Sequence, residues 1–432
     1  MSTKTKQWGA IIVMIALFAM IAFVTNLCSP MAVIVKNQFG ASNFLSQIGN
    51  YGNFIAYLVM GIPSGMLIKR FGYKKTALMA LAVGIVGILV QWLSGQVGSF
   101  AVYLVGAFIA GFCMCMLNTV VNPMLNLLGG GGNKGNQLIQ IGGVFNSAAA
   151  VAVYIIMGAL IGEATKAKIA DATPALMIAL AIFVVAFIVI LFTKIEEPQQ
   201  PVELKDANAP KDKYSAFSFR HFKLGILAIF LYGSVEVGPP TYMMQYMTAA
   251  PDAATPGLGM DGTVVGLIVA VYWLMMLIGR FIGGAIGGKV STKTMLATVS
   301  ALAVALVAFG MFAPSSVMVK VPGIDWANLS VIWAQVPIGI FAFILVGLCS
   351  SVMWGAIFNL ATEGLGKYTA IASGAFMTMV FGFAIVLGLQ GWLADVTGSY
   401  MTSFFVVLAC AAYILFYALW GSKNVNTDIP VE

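Results

Sequence analysis

Twelve membrane-spanning α-helices arranged as two six-helix bundles are what this 432-residue sequence predicts, and three observations carry that all-α membrane fold. The first is composition. Hydrophobic residues make up 60% and charged residues 9%, with a mean hydropathy of +0.96, where a water-soluble globule has about 45–50% apolar and about 25% charged residues. The second is the length of the apolar runs, which reach the roughly 20 residues a helix needs to cross about 30 Å of hydrocarbon and lack the alternation of a membrane β-barrel. The third is a single extended polar stretch, Lys194 to Lys213, whose charges and prolines mark a solvated linker at mid-chain.

In chain order the spans are expected at 8–34, 44–68, 76–95, 100–123, 138–162, 174–193, 222–247, 263–287, 294–313, 331–358, 369–391 and 399–420. The first run is too long for a signal-peptide core and has no small-residue cleavage pattern, so an uncleaved first helix is expected. Twelve spans put both termini on one side. Eighteen of the 22 Lys and Arg fall on that side, and only Lys36, Lys166, Lys168 and Lys320 on the other, which predicts cytoplasmic termini. The same bias accounts for the net charge of +7 without nucleic acid. The expected domains are an N-terminal bundle over 1–193, a cytoplasmic linker over 194–221 and a C-terminal bundle over 222–432. A six-plus-six arrangement is that of duplicated secondary transporters, whose solute site lies near the midplane between the halves.

Glu236 is the lone carboxylate well inside an apolar segment, Gly225 to Gly238. An ionisable group at membrane depth is costly unless it is used or paired, so Glu236 is either a proton-coupling site or a structural acid serving the carbonyls that Pro239 and Pro240 free. Asn118, Asn122 and Asn126 recur every four residues and form one polar stripe on the fourth span. Amides bind a neutral, hydroxyl-rich solute without fixed charge. They also glue helices together, and Asn122 could serve the backbone freed by Pro123. Gln47 and Asn50, with Tyr57, make a similar face on the second span, and Asn26 stands beside Pro30 on the first. Tyr242 and Gln245 follow the proline pair. Tyr272, Trp273 and Trp354 sit inside spans, where each either stacks on a sugar ring or packs the core; Asn359 lies nearer a span end. Arg280 is expected near the cytoplasmic end, snorkelling or joining a gate. Glu363 and Lys367, four apart, are expected to pair at a cytoplasmic loop.

Gly129 to Gly132 follows a membrane helix rather than a strand and lacks the lysine–serine pair of a phosphate loop, so it reads as a turn. No zinc spacing, nucleophile triad or nucleotide motif is visible, and the chain is not expected to be an enzyme or to hold a cofactor. The five cysteines all fall within predicted spans.

The loop Gly65-Met-Leu-Ile-Lys-Arg-Phe-Gly-Tyr-Lys-Lys75 resembles the signature loop of the major facilitator superfamily, with Lys69 where an aspartate is usual; the resemblance implies that Lys69 and Arg70 act in gating. Tyr232 to Gly238, Tyr272 to Gly283, Ile357 to Thr369 and Leu389 to Asp395 resemble the fucose–galactose–glucose:proton symporter family within it, and Asn122-Pro123 and Phe145-Asn146 match more weakly. Ser29 and Asn118 stand where relatives of the fucose permease carry acids, and Gly143 replaces a glutamine three residues before Asn146. The resemblance implies a monomeric bacterial inner-membrane importer of a monosaccharide or sugar derivative, driven by protons through alternating access, with Asn146 in the site. Sodium in place of protons, or facilitated diffusion with no coupling, is the alternative. The rival functions are an exporter of small metabolites or drugs and a nutrient sensor that binds solute without moving it.

Overall fold

A single glycine divides the longest helix of the chain. In the computed structural model, which describes residues 8–39, 43–161, 168–195, 213–325 and 328–431 with side chains omitted for most of 28–51 and for 153–161 and 262–263, α2 (Asn43–Val97) runs through two spans. They meet at Gly72, whose φ of 83° and ψ of 175° are open only to a residue without a Cβ. Two residues on, the Lys74 ammonium donates to the Leu191 and Thr193 carbonyls at 3.0 and 2.9 Å, capping the end of α5 (Thr173–Phe192).

The remaining helices are α1 (Trp8–Phe39), α3 (Phe100–Leu128), α4 (Gly132–Ile161), α6 (Arg220–Thr248), α7 (Gly262–Ile286), α8 (Thr292–Phe312), α9 (Ile338–Ser350), α10 (Met353–Thr362), α11 (Thr369–Thr378), α12 (Gly382–Thr397) and α13 (Tyr400–Phe416). With α2 counted twice, and with α9–α10 and α11–α12 each forming one broken span, the chain makes the twelve crossings expected. Most of the expected linker, 196–212, lies outside the described residues.

The tenth span starts later than its apolar run suggests. Residues 330–337, expected to open it at 331, form strand β2 (Ser330–Pro337), antiparallel to β1 (Met318–Asp325), and the helix begins at Ile338 and continues to Thr362. The cause is local. Ser330-Val-Ile-Trp-Ala-Gln335 is β-branched and aromatic, and Pro337 stops the strand and opens the helix. Val321 and Val336 turn inward while Val331 and Trp333 are exposed, the alternation of a one-sided strand. The all-α expectation therefore gains a hairpin. It defines a hairpin end of the molecule, opposite the terminal end where α1 begins and α13 stops.

Toward the terminal end, α2 and α11 approach backbone to backbone. A Cβ on Gly374 would lie 2.5 Å from the Gly61 carbonyl oxygen, and one on Gly65 would lie 2.6 Å from that of Ala370. Only glycine permits that spacing. The C-terminal tail closes the same end: Asn426 Oδ1 accepts from the Arg220 amide at 2.9 Å and the Val431 carbonyl from the Lys367 amide at 2.9 Å.

α6 and the α9–α10 span are interrupted at membrane depth, and both interruptions are satisfied by side chains. Pro239 and Pro240 lack the amides that would bond the Val235 and Glu236 carbonyls. The Tyr272 hydroxyl, fully buried on α7, donates to the Glu236 carbonyl at 2.6 Å and lies 3.4 Å from that of Val235. Between α9 and α10 the ladder stops at Ser350-Ser351, whose hydroxyls bond back to Gly347 and Leu348 at 3.2 and 2.6 Å, the serine back-bonding that bends helices. The carbonyls of Ser350, Ser351 and Val352 accept in turn from Tyr232 Oη (3.1 Å), Arg280 Nε (3.3 Å) and Gln140 Nε2 (3.0 Å).

Two substitutions test these constraints. Gly72→Ala forces a side chain into a glycine-only backbone region and is expected to cost about 1–3 kcal/mol, read as a lower melting temperature in detergent, with Lys75→Ala unchanged. Tyr272→Phe leaves a buried carbonyl bare and is expected to cost about 1–3 kcal/mol in the same measurement; a melting temperature equal to that of the unsubstituted protein would remove Tyr272 from its place at the proline break.

Candidate functional site

The seam between the first six and last six spans is polar where it passes these broken helices. Glu236 lies on α6 just before the prolines, with its side chain 15% exposed, and Arg280 comes from α7 with 12%. Arg280 Nη2 stands 3.6 Å from Glu236 Oε1. The Tyr232 hydroxyl, one turn earlier on α6, faces the same carboxyl. Arg280 Nη1 crosses to α4, donating to Ser147 Oγ at 2.7 Å, Asn146 Oδ1 at 2.9 Å and the Gly143 carbonyl at 3.2 Å. So Arg280 does not reach for solvent at the helix end. It turns into the seam, and a Cβ on Gly143 would lie only 3.2 Å from its Cδ. Asn146 also donates to the Phe18 carbonyl at 2.8 Å, which ties the cluster to α1.

The asparagine stripe of α3 runs toward the terminal end as three linked contacts. Asn118 donates to Tyr57 Oη at 2.7 Å, Asn122 Oδ1 accepts from Trp354 Nε1 at 3.3 Å, and Asn126 Oδ1 accepts from Asn359 at 3.2 Å. Asn359 also donates to the Gly132 carbonyl at 3.0 Å, so the Gly129–Gly132 turn is part of the seam. Asn122 does not serve the carbonyl that Pro123 frees, that of Thr119; its amide bonds the Asn118 carbonyl at 2.9 Å. Trp354 is half-buried among Tyr232, Phe376 and Phe383, with ring centroids 6.0 to 6.4 Å away in edge-on contact. Trp273, also half-buried, packs edge-on against Tyr272 at 5.4 Å.

Other candidates stand apart. Asn26 is half-buried and bonds its own helix at the Ala22 carbonyl (2.8 Å). Tyr242 donates to the Leu387 carbonyl at 2.6 Å, within the last six spans, and Gln245 is exposed. The carbonyls freed by the prolines are met by the Tyr272 hydroxyl. Gln47 and Asn50 lie on α2, but their side chains are outside the described residues. Lys69 and Arg70 are exposed at the Gly72 break, with Arg70 5.0 Å over the Phe71 ring. Between Glu363 and Lys367 the helix is interrupted, with α10 ending at Thr362 and Gly364 taking a φ of 71°, and the Lys367 ammonium lies 5.4 Å over the Tyr368 ring. The Glu363 backbone carbonyl contacts His221 Nε2 at 3.0 Å.

Sequence reasoning passed over Ser147, Gln140 and the Ser350-Ser351 break. The serine pair carried a readable signal, since paired small hydroxyls in an apolar helix favour a bend. Gln140 and Ser147 carried none beyond sharing a face with Gly143 and Asn146. Chemically, the seam offers amides, hydroxyls and aromatic edges around one ion pair.

The chain is 29% identical over 430 residues to the glucose/galactose transporter of Brucella abortus biovar 1 (strain 9-941), covering 98% of this chain and 97% of the relative. It is 22% identical over 435 residues to the L-fucose-proton symporter of Escherichia coli (strain K12), covering 95% and 92%. The crystal structure of FucP, a transporter in the outward conformation, superposes with a TM-score of 0.79 at 21% identity, covering 96% of this chain and 99% of that one. These relatives are transporters, not enzymes. With twelve crossings, two helices broken at the seam and a match of residues 13–389 to the family's model, this integral membrane protein belongs to the Major Facilitator Superfamily.

Proposed function

We propose that the protein imports a small neutral sugar across a bacterial inner membrane together with a proton, by alternating access between bundles 1–193 and 222–432, as a monomer with both termini in the cytoplasm. Three lines support this. Its relatives in Brucella abortus and Escherichia coli are named for glucose and galactose and for L-fucose with a proton. Lys and Arg concentrate on the terminal end. Neutral amides, hydroxyls and half-buried tryptophans suit a sugar, which needs donors, acceptors and an apolar face rather than fixed charge.

The observation that carries the reading is the Glu236–Arg280 pair at the seam, 3.6 Å apart and partly exposed. A carboxyl there, in reach of water yet held by a cation from the next helix, can gain a proton from one side and lose it to the other as the seam changes its opening. In that role Glu236 is the coupling group. Asn122, Asn146, Trp273 and Trp354 are placed to bind solute, and Asn118, Asn126 and Asn359 to align the helices around it.

Proteoliposomes loaded with unlabelled sugar, then given labelled glucose, galactose or fucose with and without an inward proton gradient, test the assignment. Glu236→Gln is expected to retain sugar exchange and to lose gradient-driven accumulation. Normal accumulation by that variant would sink it.

A further inference from the structure

Arg280 holds the two sets of spans together at the expense of a single counter-ion. Its guanidinium takes three acceptors on α4, Gly143 O, Asn146 Oδ1 and Ser147 Oγ, and one at the α9–α10 break, Ser351 O. All four are neutral. Among the described residues, the only carboxylate paired with Arg280 is Glu236, from the same side of the seam as Arg280 itself. The other titratable groups near Glu236 are the hydroxyls of Tyr232 on α6 and Tyr272 on α7, with the Cys349 thiol of α9 behind Tyr272. None of these supplies a second negative charge while neutral.

Next to Arg280, the terminal end is closed by bonds of the same kind. Gln137 donates to the Gly284 carbonyl at 3.0 Å, Asn133 Oδ1 accepts from the Thr292 amide at 2.9 Å, and Gln140 reaches the Val352 carbonyl. Asn136, completely buried among them, lies 4.0 Å from Met295 Sδ.

We infer that Arg280 is a positioning residue that makes closure of the terminal end depend on the charge of Glu236: ionised Glu236 balances the cation in the closed seam, and a proton on Glu236 strands it. The inference rests on the reading of Glu236 as the proton site. Its physical basis is that removing one partner of a desolvated pair costs far more than the pair itself contributes, because an uncompensated charge stays behind. Opening the terminal end hydrates the guanidinium and relieves that cost. Proton loading therefore favours opening toward the terminal end, the direction an importer needs, and the three neutral bonds from Arg280 to Gly143, Asn146 and Ser147 transmit the change from α7 to α4. No covalent step is involved.

The test needs neither sugar nor a gradient. In a variant whose native cysteines are replaced by alanine, Asn136→Cys places a thiol inside the closed end, and its rate of alkylation by N-ethylmaleimide reports opening. Rates are normalised to an exposed Lys293→Cys control, which removes the pH dependence of the reagent. Labelling is expected to be slow at alkaline pH and to accelerate as Glu236 takes up its proton. Adding Glu236→Gln is expected to raise the alkaline rate roughly tenfold or more and to flatten the pH profile. Adding Arg280→Gln to Glu236→Gln removes the stranded cation while keeping an amide donor toward the α4 acceptors, and slower labelling than in Glu236→Gln alone should return, a rescue that loss of packing would not produce. A flat pH profile in the Asn136→Cys protein, with Glu236 and Arg280 intact, overturns the inference even if the other variants fail to fold. So does a double variant that labels as fast as Glu236→Gln alone. Because the readout is closure, the latch can fail while Glu236→Gln still abolishes accumulation, and proton coupling at Glu236 can fail while the latch holds.

Discussion

A backbone carbonyl without a partner cannot be left in hydrocarbon, and the centre of this molecule is arranged around that constraint. Pro239-Pro240 and Ser350-Ser351 each interrupt a helix where water cannot repair the damage. The groups that repair it, Tyr232, Tyr272, Gln140 and Arg280, come from α6, α7 and α4. Four helices are thereby drawn to one place, and the polar groups needed to satisfy the backbone are also what a hydrophilic solute would meet. The site is a by-product of broken helices that have been made good from outside.

Seen this way, Glu236 and Arg280 are not an isolated surface pair of the sort that contributes little. They sit in a network in which each member also has a structural bond to keep. Tyr272 bonds the backbone carbonyl of Glu236, and Arg280 bonds the break beside Ser350, whose carbonyl holds Tyr232. Moving one charge in such a network disturbs the main chain of two helices, so a chemical event at one carboxyl has mechanical reach.

The fold was legible in the sequence because membrane helices are specified by length and composition. Apolar runs of sufficient length leave the backbone no alternative to a helix, and the twelve crossings were countable from them. The hairpin at 318–337 escaped for the same reason: Val331 to Val336 is apolar enough to join the span after it, and only its β-branched alternation distinguishes it. In the seam, Glu236 and Asn122 stood out because polar side chains inside apolar runs are conspicuous, whereas Asn146 was marked only by the family resemblance. What the sequence could not convey was pairing. The direction of Arg280 depends on Gly143, 137 positions away, having no side chain in its path. The recruitment of Tyr272 depends on the depth at which α7 crosses α6, which no local pattern records.

The close approach of α2 and α11 through Gly61, Gly65 and Gly374 gives the two flanks of the seam different mechanical characters. On that flank bare main chain lies against bare main chain, and parting the surfaces would cost mainly dispersion. On the α4–α7 flank every ångström of separation must sever directional bonds to Arg280, Gln137 and Gln140. In the alternating access proposed above, one side would be a bearing and the other a catch, with rotation of the two sets of spans beginning on the smooth flank and the catch deciding when it completes.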